Sequence, residues 1–220
     1  LPFLMEPTTA DLHAVIRRTN DMPRIPSAPI YADIFCTVTQ DEAGNIQKFF
    51  FSSADGSYIV STYYADGASI LIEYPSDYQI GILDLQNCFY CLGFEEYLLR
   101  RNKLCLHASC IDTVLGGILF SGPSGIGKST QAELWRKHRQ ARPINGDRPI
   151  VSKEDQTWLA WGSPYAGSSK VYVNDSCTVT SIILLKQAST CALRKLSHAE
   201  AFHGIWTGLT VRTWDRSFVE

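Results

Sequence analysis

Between residues 31 and 74 apolar and polar positions alternate in short runs, at 34–38, 48–52, 58–64 and 69–74. The runs are separated by the turn signals of residues 41–45, Asp55-Gly56 and Asp66-Gly67. A period of two between such turns predicts strands, and the close spacing predicts an antiparallel meander. Before the meander, Pro2, Pro7, Pro23, Pro26 and Pro29 argue for an arm or edge rather than a core element, with one short helix expected over 9–19. After it the period lengthens: Leu85, Cys88, Phe89, Leu92, Glu96 and Leu99 predict a helix over 85–102 that ends in a charged tail of Glu95, Glu96, Arg100 and Arg101.

The second half returns to strands. Residues 104–111 alternate so that Leu104, Leu106, Ala108 and Cys110 share one face and His107 and Ser109 the other. A turn over 112–115 leads to the apolar run Gly116-Gly117-Ile118-Leu119-Phe120, and pairing about that turn sets His107 opposite approximately Phe120. Further strands are expected at 141–146, 158–161 and 179–185, and a last helix opens at Ser197-His198-Ala199-Glu200-Ala201. The expected division is an N-terminal arm, meander and linking helix over 1–102 and a second domain over 103–220.

The strand at 116–120 feeds Gly122-Pro123-Ser124-Gly125-Ile126-Gly127-Lys128-Ser129, followed by the helix-forming run 130–138. Strand, glycine loop and helix is the setting in which backbone N–H groups cradle phosphates, the lysine reaches the terminal phosphates and the hydroxyl meets Mg²⁺. Residues 122–130, Thr130 included, are therefore the candidate nucleotide site. Phosphoryl transfer also needs a carboxylate for metal or acceptor, and Asp147 follows Ser129 by the length of one helix and a return strand. Asn145-Gly146-Asp147 is equally a good turn tripeptide. His107 is expected at the mouth of the loop, and Arg148 either neutralises phosphate charge or pairs with a carboxylate. The small, polar segment from Gly162 to Lys170 suits an acceptor-binding lid, with Ser163, Tyr165 and Lys170 as acceptor contacts.

Composition narrows the classes. Lys plus Arg number 20 against 22 Asp plus Glu without runs of like charge, which removes support for a nucleic-acid footprint or a polybasic membrane patch. No apolar stretch approaches a membrane span, and the first residues lack the flanks of a signal peptide, so a cytoplasmic, soluble protein is expected. The seven cysteines are an odd count in no disulfide pattern and read as packed thiols; Cys88-Phe89-Tyr90-Cys91 lacks the partners of a zinc site.

His107-Ala108, the strand pair, the 122–129 loop, the interval to Gly146-Asp147-Arg148 and the Gly162-Ser163-Pro164 loop together resemble the HPr kinase/phosphorylase group. Its relatives with the phosphoenolpyruvate-carboxykinase-like nucleotide fold include serine kinases that act on ribosomally made peptides. The likeness spans roughly residues 103–205. It implies an α/β P-loop nucleotide domain with an N-terminal antiparallel β subdomain, and an ATP-dependent kinase using Mg²⁺ or Mn²⁺. Lys128, His107 and Asp147 would be catalytic, with Ser129 and Asp147 at the metal. The acceptor would be a hydroxyl of a peptide, a protein or a small molecule, and a homo-oligomer is compatible. The chain departs from the group in having Gly146-Asp147 where two adjacent aspartates are usual, and the resemblance implies a further strand and helix beyond Glu220. Two alternatives stand beside it: a small-metabolite kinase, from the Ser129-to-Asp147 interval, and an ATP-binding sensor or assembly module without transfer.

Overall fold

A computed structural model describes residues 12–34, 36–51, 56–78, 90–165 and 167–210. It is a mixed α/β protein with two sheets and few helices among the described residues. The chain divides into two compact units, and the division falls between Phe94 and Glu95, inside the expected linking helix rather than after it.

The first unit is a six-stranded sheet in the order β1-β6-β5-β4-β3-β2. Strands β3 (Cys36–Gln40), β4 (Ile46–Phe51), β5 (Tyr58–Tyr63) and β6 (Ser69–Pro75) form the expected antiparallel meander. Its turns are built by aspartate side chains. Asp41 accepts from the Ala43 and Asn45 amides at 2.9 Å, and Asp66 from those of Ala68 and Ser69 at 2.8 Å. The Asp55-Gly56 turn lies partly outside the described residues, as do Cys88 and the first half of the helix expected over 85–102. Ile59, Ile70, Ile72 and Cys91 form a core beneath one face. β2 (Tyr31–Ala32) caps one edge.

Of the helix expected over 9–19, residues 9–11 lie outside the described residues and the rest is corrected: His13–Thr19 is a strand, β1, paired parallel with β6 from His13↔Ser69 to Thr19↔Pro75. Val15, Ile16 and Thr19 are β-branched and favour the extended chain, and the buried Glu73 binds Arg17 across the pair. The reading of this region as an edge agrees with its exposed side chains.

Of the helix expected over 85–102, residues 90–92 are helical and α1 spans Phe94–Leu99, with Gly93 at φ 60° between them. A left-handed residue breaks an α-helix, and glycine adopts it without a Cβ penalty.

The second unit carries a seven-stranded sheet in the order β10-β8-β9-β13-β12-β11-β7. The strand expected over 104–111 is interrupted, giving β7 (Lys103–Cys105) and β8 (Ala108–Thr113). The strand at 116–120 is β9 (Gly116–Ser121), joined to β8 by a two-residue turn at Val114-Leu115. The remaining strands are β10 (Arg142–Asn145), β11 (Ile150–Glu154), β12 (Thr157–Trp161) and β13 (Ser176–Leu184). β11 was not expected from the sequence. At the β7–β8 interruption the Leu106 and Ala108 amides donate to Pro149 and Asp147 carbonyls at 3.2 and 2.9 Å, so residues 103–113 run beside 142–154 and the sheet bends back on itself.

Both faces of this sheet are covered. Leu106, Ala108, Cys110, Leu119, Ile144, Val151, Ala160 and Cys177 form one core, against which Ile205 and Leu209 pack. Ile111, Ile118, Phe120 and Ala141 form the other, filled by Ala132 and Trp135 of the helix after the glycine loop. That helix, α2, spans Lys128–Arg139 and carries Arg136, Lys137 and Arg139 in its last turn, where positive charge meets the negative end of the helix dipole. The last helix, α3 (His198–Trp206), opens with a reciprocal capping box between Ser197 and Glu200. The six described cysteines are free thiols. Among the described residues no helix is long and apolar enough to cross a membrane.

Candidate functional site

The glycine loop lies where the sequence puts it, between β9 and α2. Gly122, Gly125 and Gly127 take φ values of 146°, 76° and 108°, a left-handed path that residues with a Cβ rarely follow. Within the loop the Ile126 amide donates to Pro123 O at 3.3 Å. The amides of Gly125, Gly127, Lys128 and Ser129 have no hydrogen-bond partner among the described residues. They stand at the start of a twelve-residue helix, where orphan N–H groups and the dipole favour an anion.

Lys128 is the first residue of α2 and is buried, while Ser129 and Thr130 beside it are exposed. Its Nζ donates to Gly122 O at 3.0 Å and Pro123 O at 3.1 Å, so the ammonium folds back over its own loop. Burial lowers its pKa below the ordinary lysine value; Asp147 opposes that shift and Arg148 adds to it.

Asp147 reaches this end of the sheet by a route different from the one expected. One helix and a return strand after the loop would set it at the end of the strand next to β9, but β9 is flanked by β8 and β13, and β10 lies one strand further out. The β8–β9 hairpin takes that neighbouring place because its turn is only two residues long. Asp147 instead lies beside the β7–β8 interruption, its carbonyl accepting from the Ala108 amide. The β8–β9 register is also shifted from the expected one. Ser109, not His107, faces Phe120, and Ala108 faces Ser121. His107 thus lies one residue past the last pair, level with the start of the loop, and Ser121 Oγ donates to its carbonyl at 3.0 Å.

His107 Nε2 stands 3.4 Å from Asp147 Oδ1, and Arg148 Nε stands 3.8 Å from Oδ2. All three side chains are partly buried. The His107 hydrogen bond is the main reason that the Asp147 carboxyl titrates below its ordinary range, with Arg148 and Lys128 adding to it and burial opposing. Arg148 also donates through Nη1 to Thr210 Oγ1, and its buried Nε has no hydrogen-bond partner. His107, Lys128, Asp147 and Arg148 therefore gather at the mouth of the glycine loop.

The segment after β12 divides the expected acceptor contacts. Ser163 is fully buried, with Oγ donating to Arg148 O. Tyr165 is also buried, its OH donating to Glu95 Oε1 at 2.8 Å, so it faces inward rather than toward an acceptor. Lys170 is exposed and follows a 3₁₀ turn at Gly167–Ser169. Gly167 covers Asp147: a Cβ built on it would stand 2.7 Å from Asp147 Cβ, and its φ of 55° also favours glycine.

Sequence reading missed Asn145 and Glu95. Asn145 is 1% exposed and bonds to both the 147–148 and the 163–165 backbone. Its only sequence signal was the turn tripeptide that it opens. Compared with known proteins, the chain matches no family model. No curated protein matches it significantly.

Proposed function

We propose that this chain is an ATP-dependent phosphotransferase with the carboxykinase-like P-loop nucleotide fold, acting on the Ser or Thr hydroxyl of a peptide or protein in the cytoplasm. The observation that carries the reading is the meeting of a glycine loop with free amides, a buried lysine and a histidine-paired aspartate at one end of one sheet. Binding alone requires the first two. Transfer requires the third.

In this reading the loop amides and Lys128 hold the phosphates and offset charge on the group being transferred. Asp147 orients the acceptor hydroxyl. As the acceptor oxygen forms its bond to the γ-phosphorus, the bond from phosphorus to the ADP oxygen breaks, and Asp147 takes the hydroxyl proton late. His107, in contact with Oδ1, fixes the rotamer of that carboxylate, and Arg148 neutralises phosphate charge beside it.

Among the described residues no three His, Cys, Asp or Glu side chains gather as a metal cluster. The oxygens available are the exposed Ser129 hydroxyl and the Asp147 carboxylate. That set fits Mg²⁺, which takes one or two protein oxygens and completes its shell with phosphate and water. Bound there, the ion would supply charge neutralisation on the phosphates.

The decisive experiment incubates the chain with γ-labelled ATP, Mg²⁺ and a panel of neighbouring gene products. Label on a Ser or Thr of one of them, lost in Asp147→Asn, supports the kinase. Tight ATP binding without transfer to any acceptor points to the sensor module instead, and label on a small metabolite to a metabolite kinase.

A further inference from the structure

We propose that Asn145 is a positioning residue, which locks Asp147 and the Ser163–Tyr165 backbone into one rigid unit, so that residues 163–165 and 167–170 form a fixed wall of the acceptor site rather than a closing lid. The reaction named here rests on the phosphotransferase reading; the geometry does not.

A primary amide has two donor hydrogens and one carbonyl oxygen with two lone pairs. Asn145 uses all four. Its Oδ1 accepts from the Asp147 amide at 2.9 Å and the Arg148 amide at 2.7 Å. Its Nδ2 donates to Ser163 O at 2.9 Å and Tyr165 O at 3.0 Å, with Ser163 Oγ at 3.3 Å. The amide can be oriented only one way, because the reverse would set NH₂ against two N–H groups and an oxygen against two carbonyls. At 1% exposure no water replaces these partners, and leaving one unmade carries a desolvation cost.

No other residue type of this size serves. Aspartate keeps the acceptor half but turns a second oxygen toward the carbonyls of Ser163 and Tyr165. Serine is too short to span both segments. β10 ends here in a register shift between Pro143 and Asn145, which aims the side chain between the two backbones. Asn145 also pairs as an isolated bridge with Tyr172, so its own backbone is held.

The wall is fixed from the other side too. Ser163 Oγ accepts from the Tyr165 amide at 3.2 Å and donates to Arg148 O, and the Tyr165 hydroxyl is tied to the buried Glu95. The Gly167–Ser169 turn then lies against Asp147 with no room for a methyl group. Residues held at 163, 165 and 167 cannot move away without uncovering buried polar groups. What an acceptor meets is a preset rim that ends at the exposed Lys170.

The test combines amide hydrogen exchange with kinetics on the full chain. In Asn145→Ser the Asp147 and Arg148 amides should exchange at least about tenfold faster, while the core amide of Leu119 keeps its protection. In Asn145→Asp those two amides should stay protected and the Tyr165 amide should be released. With an acceptor identified by the γ-labelled ATP experiment, kcat of Asn145→Ser should fall about ten- to a hundredfold, with KM for ATP within about twofold, as expected for a carboxylate moved by a fraction of an ångström. Wild-type exchange at 147 and 148 in Asn145→Ser overturns the proposal, as does an unchanged kcat or a loss shared equally by kcat and ATP binding. A wild-type protein that transfers no phosphate removes the kinase reading alone, since the exchange pattern still decides whether Asn145 locks the two segments.

Discussion

Replacing Lys128 by Met separates what this side chain does for the fold from what it does for a phosphate. In the structure the ammonium is buried and bonded to two loop carbonyls at 3.0 and 3.1 Å. Burial has lowered its pKa, so the charged form is held at a cost to folding. The sign follows from linkage: the unfolded chain binds the proton more tightly, so folding gains stability as pH rises from the folded pKa toward the unfolded value of about 10.4. Met keeps the buried stem, loses two hydrogen bonds and removes the desolvation cost, so unfolding free energy near pH 7 should change by less than about 1 kcal/mol. The alkaline gain should vanish. For Mg²⁺-ATP, loss of a charge-assisted contact worth about 2–3 kcal/mol should raise Kd by roughly 30- to 150-fold. Titration calorimetry and urea unfolding of both proteins at pH 7 and pH 9.5 check both halves. Equal ATP affinity would refute the phosphate-loop reading. A loss of stability well above 2 kcal/mol would show that Lys128 serves mainly to tie its own loop.

Asp147→Asn should keep fold and nucleotide binding while initial rates of phosphate transfer fall at least about a hundredfold, the low end for a general base. The stability that the Asp147 carboxylate contributes is present above its unfolded pKa and lost as pH falls through the depressed folded value, so the urea midpoints of wild type and Asp147→Asn should converge as pH falls below the ordinary carboxylate range. Gly167→Ala brings a methyl group to 2.7 Å from Asp147 Cβ at a φ of 55°; strain and overpacking together should cost about 2–4 kcal/mol in urea unfolding, and wild-type stability would show that the turn can move away. Tyr165→Phe removes the donor to the buried Glu95 and should cost about 1–3 kcal/mol, with ATP affinity measured by calorimetry unchanged.

The sequence was most readable where a signal acts over a few residues. Asp41, Asp66 and their followers close turns through their own side chains, so the meander could be seen from the spacing alone. Ser197 and Glu200 cap α3 by a reciprocal bond three residues apart. The glycine loop needs backbone angles that glycine supplies, and it stands between strand and helix as expected. His107 and Asp147 were singled out and do meet, although by a route that the sequence did not indicate.

What local pattern could not decide was pairing between distant segments. Val15 and Ile16 suit a strand, but only the parallel match with β6 makes residues 13–19 one. The sheet order puts β10 beyond β8, and the interruption at 106–107 brings Asp147 to the loop. Tyr165 and Glu95 lie 70 residues apart, and Asn145 and Ser163 18, so no periodicity records those hydrogen bonds. The turns, the caps and the chemistry of the loop were legible along the chain because they depend on neighbouring residues. The route by which Asp147 meets the loop, and the polar side chain that holds it there, came from the folded chain, because buried hydrogen bonds between remote segments exist only once both backbones have been brought together.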